Sequence, residues 1–273
     1  MKKNKSLLLS GPYILWMLMF TLIPLGVVGY YALTDPDPGA FTWRNIQDLW
    51  MFLPTLGSSV WYSLVSALIC LLLGYPVAYF IAHRKPTTQK ILYMLIMLPM
   101  CMSFLLRTLA WVGLLEANGI INQLLNLLGF GSLTLIGTPG AVIWGMVYNY
   151  LPYMILPLYA IIVKIDRRLI EAAEDLGCPP VKVFSKVILP LSMPGILSGI
   201  TMVFVPAVST FYISQKLGGT DTMLIGDVIE RQFKSAGNPN LGAALSLVLM
   251  LLVFICTGIM NRFGSDEEGG VVV

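Results

Sequence analysis

Six stretches of this chain are each long and apolar enough to be solvated by lipid: roughly residues 11–33, 60–82, 91–115, 140–163, 195–213 and 241–260. A helix needs about 20 mainly apolar residues to cross the hydrocarbon of a bilayer. The sequence therefore predicts an all-α, polytopic membrane protein with six transmembrane helices, and residues 1–273 read as a single transmembrane domain. Only 11% of the residues are charged, where soluble domains carry about 25%. No soluble domain, low-complexity run or convincing internal repeat interrupts the pattern. The first apolar run follows Lys2, Lys3 and Lys5 as a signal peptide would, but it exceeds the 7–15 residues of a signal h-region. It is expected to remain as the first helix. Pro24, Pro76, Pro99, Pro152, Pro157 and Pro206 fall inside spans, which suggests kinked helices around a pathway.

The distribution of cations sets the expected orientation, because loops rich in Lys and Arg stay on the cytoplasmic side. With a cytoplasmic N-terminus, that side holds Lys2, Lys3, Lys5, Arg84, Lys85, Lys90, Lys164, Arg167, Arg168, Lys182, Lys186 and Arg262. The other side keeps Arg44, Lys216, Arg231 and Lys234, and Arg107 lies within the third span. Both termini and the loop 164–194 are thus predicted to be cytoplasmic.

That loop is the longest charged passage with helix-forming character. Asp166 is placed to cap a helix beginning Arg167-Arg168-Leu169, and Glu171, Glu174 and Asp175 give it a polar surface. Ala172 and Ala173 keep one face shallow, so another protein can approach closely. Gly177 suits a left-handed C-terminal cap, and Pro179-Pro180 prevents continuation. A second helical stretch, Val181 to Leu189, leads through Pro190 towards the fifth span. By these features alone, an amphipathic helix on the membrane surface and a docking element for a soluble protein fit about equally.

Several chemistries are excluded. No G-x4-GK-[ST] loop is present to cradle nucleotide phosphates, so no ATP or other cofactor is expected on this chain. With His83 as the single histidine, no Ser/His/Asp set exists. Cys70, Cys101, Cys178 and Cys256 have no ligand spacing, so no metal site and no catalytic residue is assigned. No basic run supports nucleic-acid binding.

The spacing Glu171-Ala172-Ala173-x3-Gly177-x9-Val187-x-Leu189-Pro190 resembles the signature loop of membrane subunits of binding-protein-dependent ABC importers, with Val187 where that family has Ile. Further stretches resemble the spermidine/putrescine permeases, most like the first of their two permease subunits. They are Gly74-Tyr75-Pro76-Val77-Ala78-Tyr79, Leu105-Leu106-Arg107-Thr108-Leu109-Ala110-Trp111 and Tyr148-Asn149-Tyr150-Leu151-Pro152. The likeness covers roughly residues 10–262. It implies a type I importer transmembrane domain in a bacterial cell membrane, non-catalytic by itself. The implied partners are a dimer of ATPase subunits carrying ATP and Mg, a second homologous permease subunit, an extracytoplasmic solute-binding protein and the lipid bilayer. It also implies that Glu171, Ala172, Ala173, Asp175, Gly177, Leu189 and Pro190 form the coupling contact with the ATPase.

An organic polycation would need ring faces and acceptors along a kinked path. Candidates are Trp111, Glu116, Tyr148, Tyr153, Phe211 and Tyr212. Asp227 and Glu230, on a helix expected over the outer face, are candidate contacts for the binding protein. Arg107 would repel such a cargo and reads as structural or gating, paired with a carboxylate or with carbonyls. The same architecture importing iron, phosphonate, phosphate or sulfate compounds is an alternative reading. A secondary transporter working without an ATPase is another, although the spans offer almost no carboxylates for ion coupling.

Overall fold

The computed structural model describes residues 13–35, 40–129, 131–219, 222–234 and 237–268. Among them the structure is helical, apart from one isolated antiparallel bridge between Thr34 and Phe41. In chain order the helices are α1 (Tyr13–Ala32), α2 (Arg44–Ala82), α3 (Pro86–Met97), α4 (Phe104–Leu115) and α5 (Ile120–Leu127). Then come α6 (Pro139–Ile162), α7 (Arg167–Asp175), α8 (Pro180–Val208), α9 (Tyr212–Leu217), α10 (Ile225–Lys234) and α11 (Pro239–Glu268). Six helical runs are long and apolar enough to cross a membrane, as the sequence predicts; the third, Phe104–Leu127, reaches that length only with α4 and α5 counted together.

Their bounds differ from the expected spans in three places. The second apolar run begins at Arg44 rather than near residue 60. The expected third span, 91–115, is two twelve-residue helices, α3 and α4, separated by a 3-10 turn at Leu98–Cys101. Pro99 in that turn has no N–H for the carbonyl four residues back, and Met102 and Ser103 then run extended. Twelve helical residues span only about 18 Å, well short of the roughly 30 Å of hydrocarbon. The fifth span ends at Val208 instead of 213 and starts far earlier: the second helical stretch of the loop is continuous with it, through a π turn at Phe184–Ile188. A second π turn occurs at Leu18–Leu22. Each π turn precedes a proline, Pro24 and Pro190, whose ring crowds the carbonyl four residues earlier. Widening the turn relieves that crowding without ending the helix.

The chain divides into two compact units. One comprises Met1–Leu56 and Val228–Leu252. Its small core joins Ala32 to Ala243 and Ala244, with Val28, Leu49 and Leu247 alongside. Polar groups lock it: the Asn45 side-chain amide donates to the carbonyls of Ala32 and Thr34, and that of Asn240 donates to the same Thr34 carbonyl. Helix α1 is apolar all round and exposed along most of its length, as suits a helix facing lipid.

The other unit comprises Gly57–Asp227 and Val253–Val273. Its axis is α6: 61% of that helix's apolar window is buried, against 39% or less in the other spans. Met146, Met154 and Leu158 of α6 meet Val203 and Ala207 of α8 and Ile213 and Leu217 of α9. Small residues bring these helices close, since lipid provides no hydrophobic drive for their association. Met154 lies between Gly74 of α2 and Gly199 of α8, where an added Cβ would stand 3.1 Å from its Cγ and 2.6 Å from its Sδ.

Candidate functional site

Helix α7 carries most of the loop signature, and both of its ends form as its sequence dictates. The Asp166 carboxylate accepts from the Arg168 amide at 3.0 Å, satisfying one of the free N–H groups of the first turn. At the other end the Gly177 amide donates to Glu174 and the Cys178 amide to Ala173, the double bond pattern of a Schellman cap. Gly177 has φ +79°, a conformation that costs glycine little and other residues more. No residue of α7 is buried. Glu171, Ala172, Glu174 and Asp175 are exposed and Ala173 is half-buried. Leu176 and Val181 are 85% and 77% exposed, leaving two large apolar side chains beside the carboxylates. Ile170 turns inward, where it lines a small recess with His83 at the end of α2, Ile162 of α6 and Ile188 of α8.

Behind α7, an aromatic joint ties α8 to α2. The Phe184 ring, in the π turn, sits edge-on to Tyr75 at 5.5 Å and to Tyr79 at 6.2 Å. Ser192 donates to the Leu189 carbonyl, so the Tyr75 hydroxyl donates to Ser192 Oγ, 2.8 Å away. Leu189 is half-buried and Pro190 exposed at the start of the regular part of α8. Phe184 and Ser192 had no motif to mark them as contact residues; Phe184 stands out in the sequence only as an aromatic at the foot of a span.

The aromatic candidates form separate groups. Trp111 packs edge-on against Tyr148 at 5.2 Å and against Trp144 at 6.0 Å. No motif marks Trp144, though it lies four residues before Tyr148 on the same face of α6. Trp111 and Trp144 line an open, mainly apolar pocket of about 420 Å³ with Leu115, Ile121, Leu135 and Thr138. Tyr212 stands by Phe104 at 6.3 Å, and the Lys216 ammonium lies 5.9 Å from its ring. A cation already occupies the neighbourhood of that ring. Tyr153 pairs with Tyr150 at 6.3 Å, while Phe211 is exposed beside α9. Glu116 is exposed at the end of α4, and its backbone carbonyl accepts from Asn122.

Asp227 and Arg107 depart from expectation, and Glu230 does not. Asp227 is only 6% exposed, and its carboxylate accepts from the Leu224 amide at the start of α10, so it serves as a buried cap and does not face outward. Glu230 forms an ion pair with Lys234 at 2.6 Å. Arg107 is buried in α4, and its Nε and Nη1 make no hydrogen bond, so the pairing with carboxylate or carbonyl expected for it is not made by those atoms. Among the described residues, no three His, Cys, Asp or Glu cluster as metal ligands would.

Residues 71–265 match the family model described as the inner membrane component of binding-protein-dependent transport systems. The chain is 39% identical over 255 residues to the spermidine/putrescine transport system permease protein PotB of Haemophilus influenzae, covering 88% of each chain. It is 36% identical to the PotB of Escherichia coli, covering 87% of this chain and 90% of that one. Its fold is similar to a chain in the crystal structure of a bacterial ABC transporter involved in import of the acidic polysaccharide alginate. There the TM-score is 0.81 at 17% identity, over 97% of this chain and 96% of the other. The chain belongs to the family of binding-protein-dependent transport system inner membrane components, and it is a multi-pass membrane protein.

Proposed function

We propose that the chain is the transmembrane permease subunit of an ATP-driven polyamine importer, taking spermidine or putrescine. It pairs with a second, homologous permease subunit, receives cargo from an extracytoplasmic solute-binding protein, and is driven by two ATPase subunits that hold ATP and Mg. The observation that carries this reading is α7: an exposed helix, capped at both ends, bearing Glu171, Ala172, Asp175 and Gly177 with Leu176 uncovered beside them. A lone surface helix has no use for an uncovered leucine next to three carboxylates; a cleft on another protein does. Leu189 and Pro190 continue that contact into α8. The N- and C-termini lie on the same, cytoplasmic side as α7. The polyamine assignment draws on the relatives named above and on the ring faces of Trp111, Tyr148, Tyr153, Phe211 and Tyr212, which suit an organic cation. Lys216 beside Tyr212 makes that ring the weakest of the five, because its cation occupies the attraction a substrate ammonium would use. Glu116, exposed at the end of α4, is the carboxylate among these candidates.

The test is uptake of radiolabelled spermidine into vesicles holding the full complex, with ATP hydrolysis measured in parallel. Glu171→Ala and Gly177→Val are expected to abolish uptake while the complex remains assembled in the membrane. Full uptake by either variant would remove α7 from the coupling role. Uptake of other solutes in preference to polyamines would refute the cargo alone.

A further inference from the structure

Helix α5 sits at the end of α6 opposite α7, because it precedes Pro139 and α7 follows Ile162. It does not prolong α4. Glu116 runs extended and ends α4, and the turn after it closes tightly at Gly119, where an added Cβ would stand 2.4 Å from the Leu114 carbonyl oxygen and 2.7 Å from that of Gly113. Asn122 fixes the turn: its amide donates to the carbonyls of Glu116 and Leu133, and its oxygen accepts from the Leu133 amide.

With about 100° between successive helical residues, α5 divides into three faces. Ile121, Asn122 and Leu125 turn inward, and Ile121 lines the Trp111–Trp144 pocket. Gln123 and Asn126 form an exposed polar face. Ile120, Leu124, Leu127 and Leu128 form a third face that is apolar and 56–85% exposed. A helix resting only on protein and water has two faces, one apolar and inward, one polar and outward. A helix with a separate outward apolar stripe, next to a polar one, matches the boundary between lipid and water. The surroundings agree. From Ala117 to Val163 the chain contains no Asp, Glu, Lys or Arg, so neither α5 nor the chain that follows it carries a charge that resists entry into the membrane surface or supplies a polar protein-binding rim, and the nearest charge before it in sequence is the exposed Glu116. α7, the exposed helix at the opposite end, is by contrast dense in charge.

We propose that α5 is an interfacial helix that seats in the lipid surface through Ile120, Leu124, Leu127 and Leu128, and thereby fixes the wall of the Trp111–Trp144 pocket that Ile121 supplies. The inference depends on the membrane-spanning fold and not on the cargo or the ATPase.

The experiment attaches nitroxide labels through single substitutions Gln123→Cys, Leu124→Cys, Asn126→Cys, Leu127→Cys and Leu128→Cys. Cys101, Cys178 and Cys256 are replaced by serine, and buried Cys70 is kept. The full complex is placed in nanodiscs, and collision of each label with oxygen, which concentrates in lipid, is compared with collision with a water-soluble nickel chelate. The oxygen-to-nickel ratio is expected to be severalfold higher at 124, 127 and 128 than at 123 and 126. Equal ratios at all five positions would overturn the proposal in favour of a solvated helix. Protection from both reagents at 127 and 128 would overturn it in favour of a protein partner. Because accessibility is read without transport, a failed uptake assay leaves this result standing.

Discussion

Replacing Gly199 by alanine tests whether close packing around Met154 holds the second unit together. The new methyl would stand 2.6 Å from Met154 Sδ, 3.3 Å from the Met154 carbonyl oxygen and 3.5 Å from Pro157 Cγ. Methionine ordinarily yields to such an intrusion by rotating, but Met154 is fully buried and Gly74 stands 3.1 Å away on its other side, measured to a Cβ built there. Overpacking of this kind costs about 1–3 kcal/mol. At about 2–4 °C per kcal/mol for a chain of this size, Gly199→Ala should lower Tm by roughly 2–12 °C. Met154→Ala alone should also destabilise, by about 2 kcal/mol or somewhat more, since a buried side chain leaves a cavity. Combining the two lets the new methyl enter that cavity. The double variant should therefore be no less stable than Met154→Ala, a coupling of about 1–3 kcal/mol. Gly119→Ala serves as the control, because its methyl would strike only backbone, with the Leu114 oxygen at 2.4 Å, and cannot be relieved by shortening Met154. Tryptophan fluorescence during heating in nanodiscs measures all five proteins. Simple additivity of Gly199→Ala and Met154→Ala would refute the packing account.

Two shorter predictions concern the joint between α8 and α2 and the turn that Asn122 holds. Phe184→Ala removes the ring wedged beside Tyr75 and Tyr79, a loss of about 0.5–1.5 kcal/mol of aromatic contact per pair, so the protein should stay folded. Transport per ATP hydrolysed should nevertheless fall severalfold, and an unchanged ratio would show that the ring contact carries no coupling. Asn122→Ala removes three hydrogen bonds that hold residues 116–133 together, so the Leu133 amide loses its acceptor. At about 1–1.5 kcal/mol, its hydrogen exchange should accelerate by roughly tenfold, with no change at the amides of α6.

What could be read from the sequence was what short-range chemistry decides. The ends of α7 follow from Asp166, Gly177 and Pro179-Pro180, each acting on backbone groups within a turn of itself, and the structure places both caps there. The apolar spans follow from length alone, and α6 agrees with its expected bounds to within a residue at each end. What could not be read depends on partners distant in sequence or on which side of a helix faces inward. In a membrane chain, both the buried and the lipid-facing sides are apolar, so periodicity does not separate them. That is why the sequence does not distinguish Trp144 beside Tyr148, and why it does not reveal that Asp227 turns inward to cap α10. The break at Leu98–Cys101 is an intermediate case: Pro99 was visible, but Pro76, Pro152 and Pro157 are equally visible and are carried inside continuous helices.

The continuity of α8 has a mechanical consequence that separate helices would not have. A flexible loop between the surface segment and the span would absorb a displacement applied at the surface segment. Here Pro180–Val208 is one helix of 29 residues, about 43 Å long, so a push at its foot reaches the far end of the span as a tilt or rotation. The π turn at Phe184–Ile188 is the place along it where such a motion meets least resistance, since its hydrogen bonding is already irregular next to Pro190. It is also where Phe184 touches Tyr75 and Tyr79, and two turns below Ser192, which receives the Tyr75 hydroxyl. Bending at the π turn must therefore drag or slide past α2. Under the coupling role proposed for α7, motion entering there would spread to two helices together, and α2 would need no ATPase contact of its own to follow it.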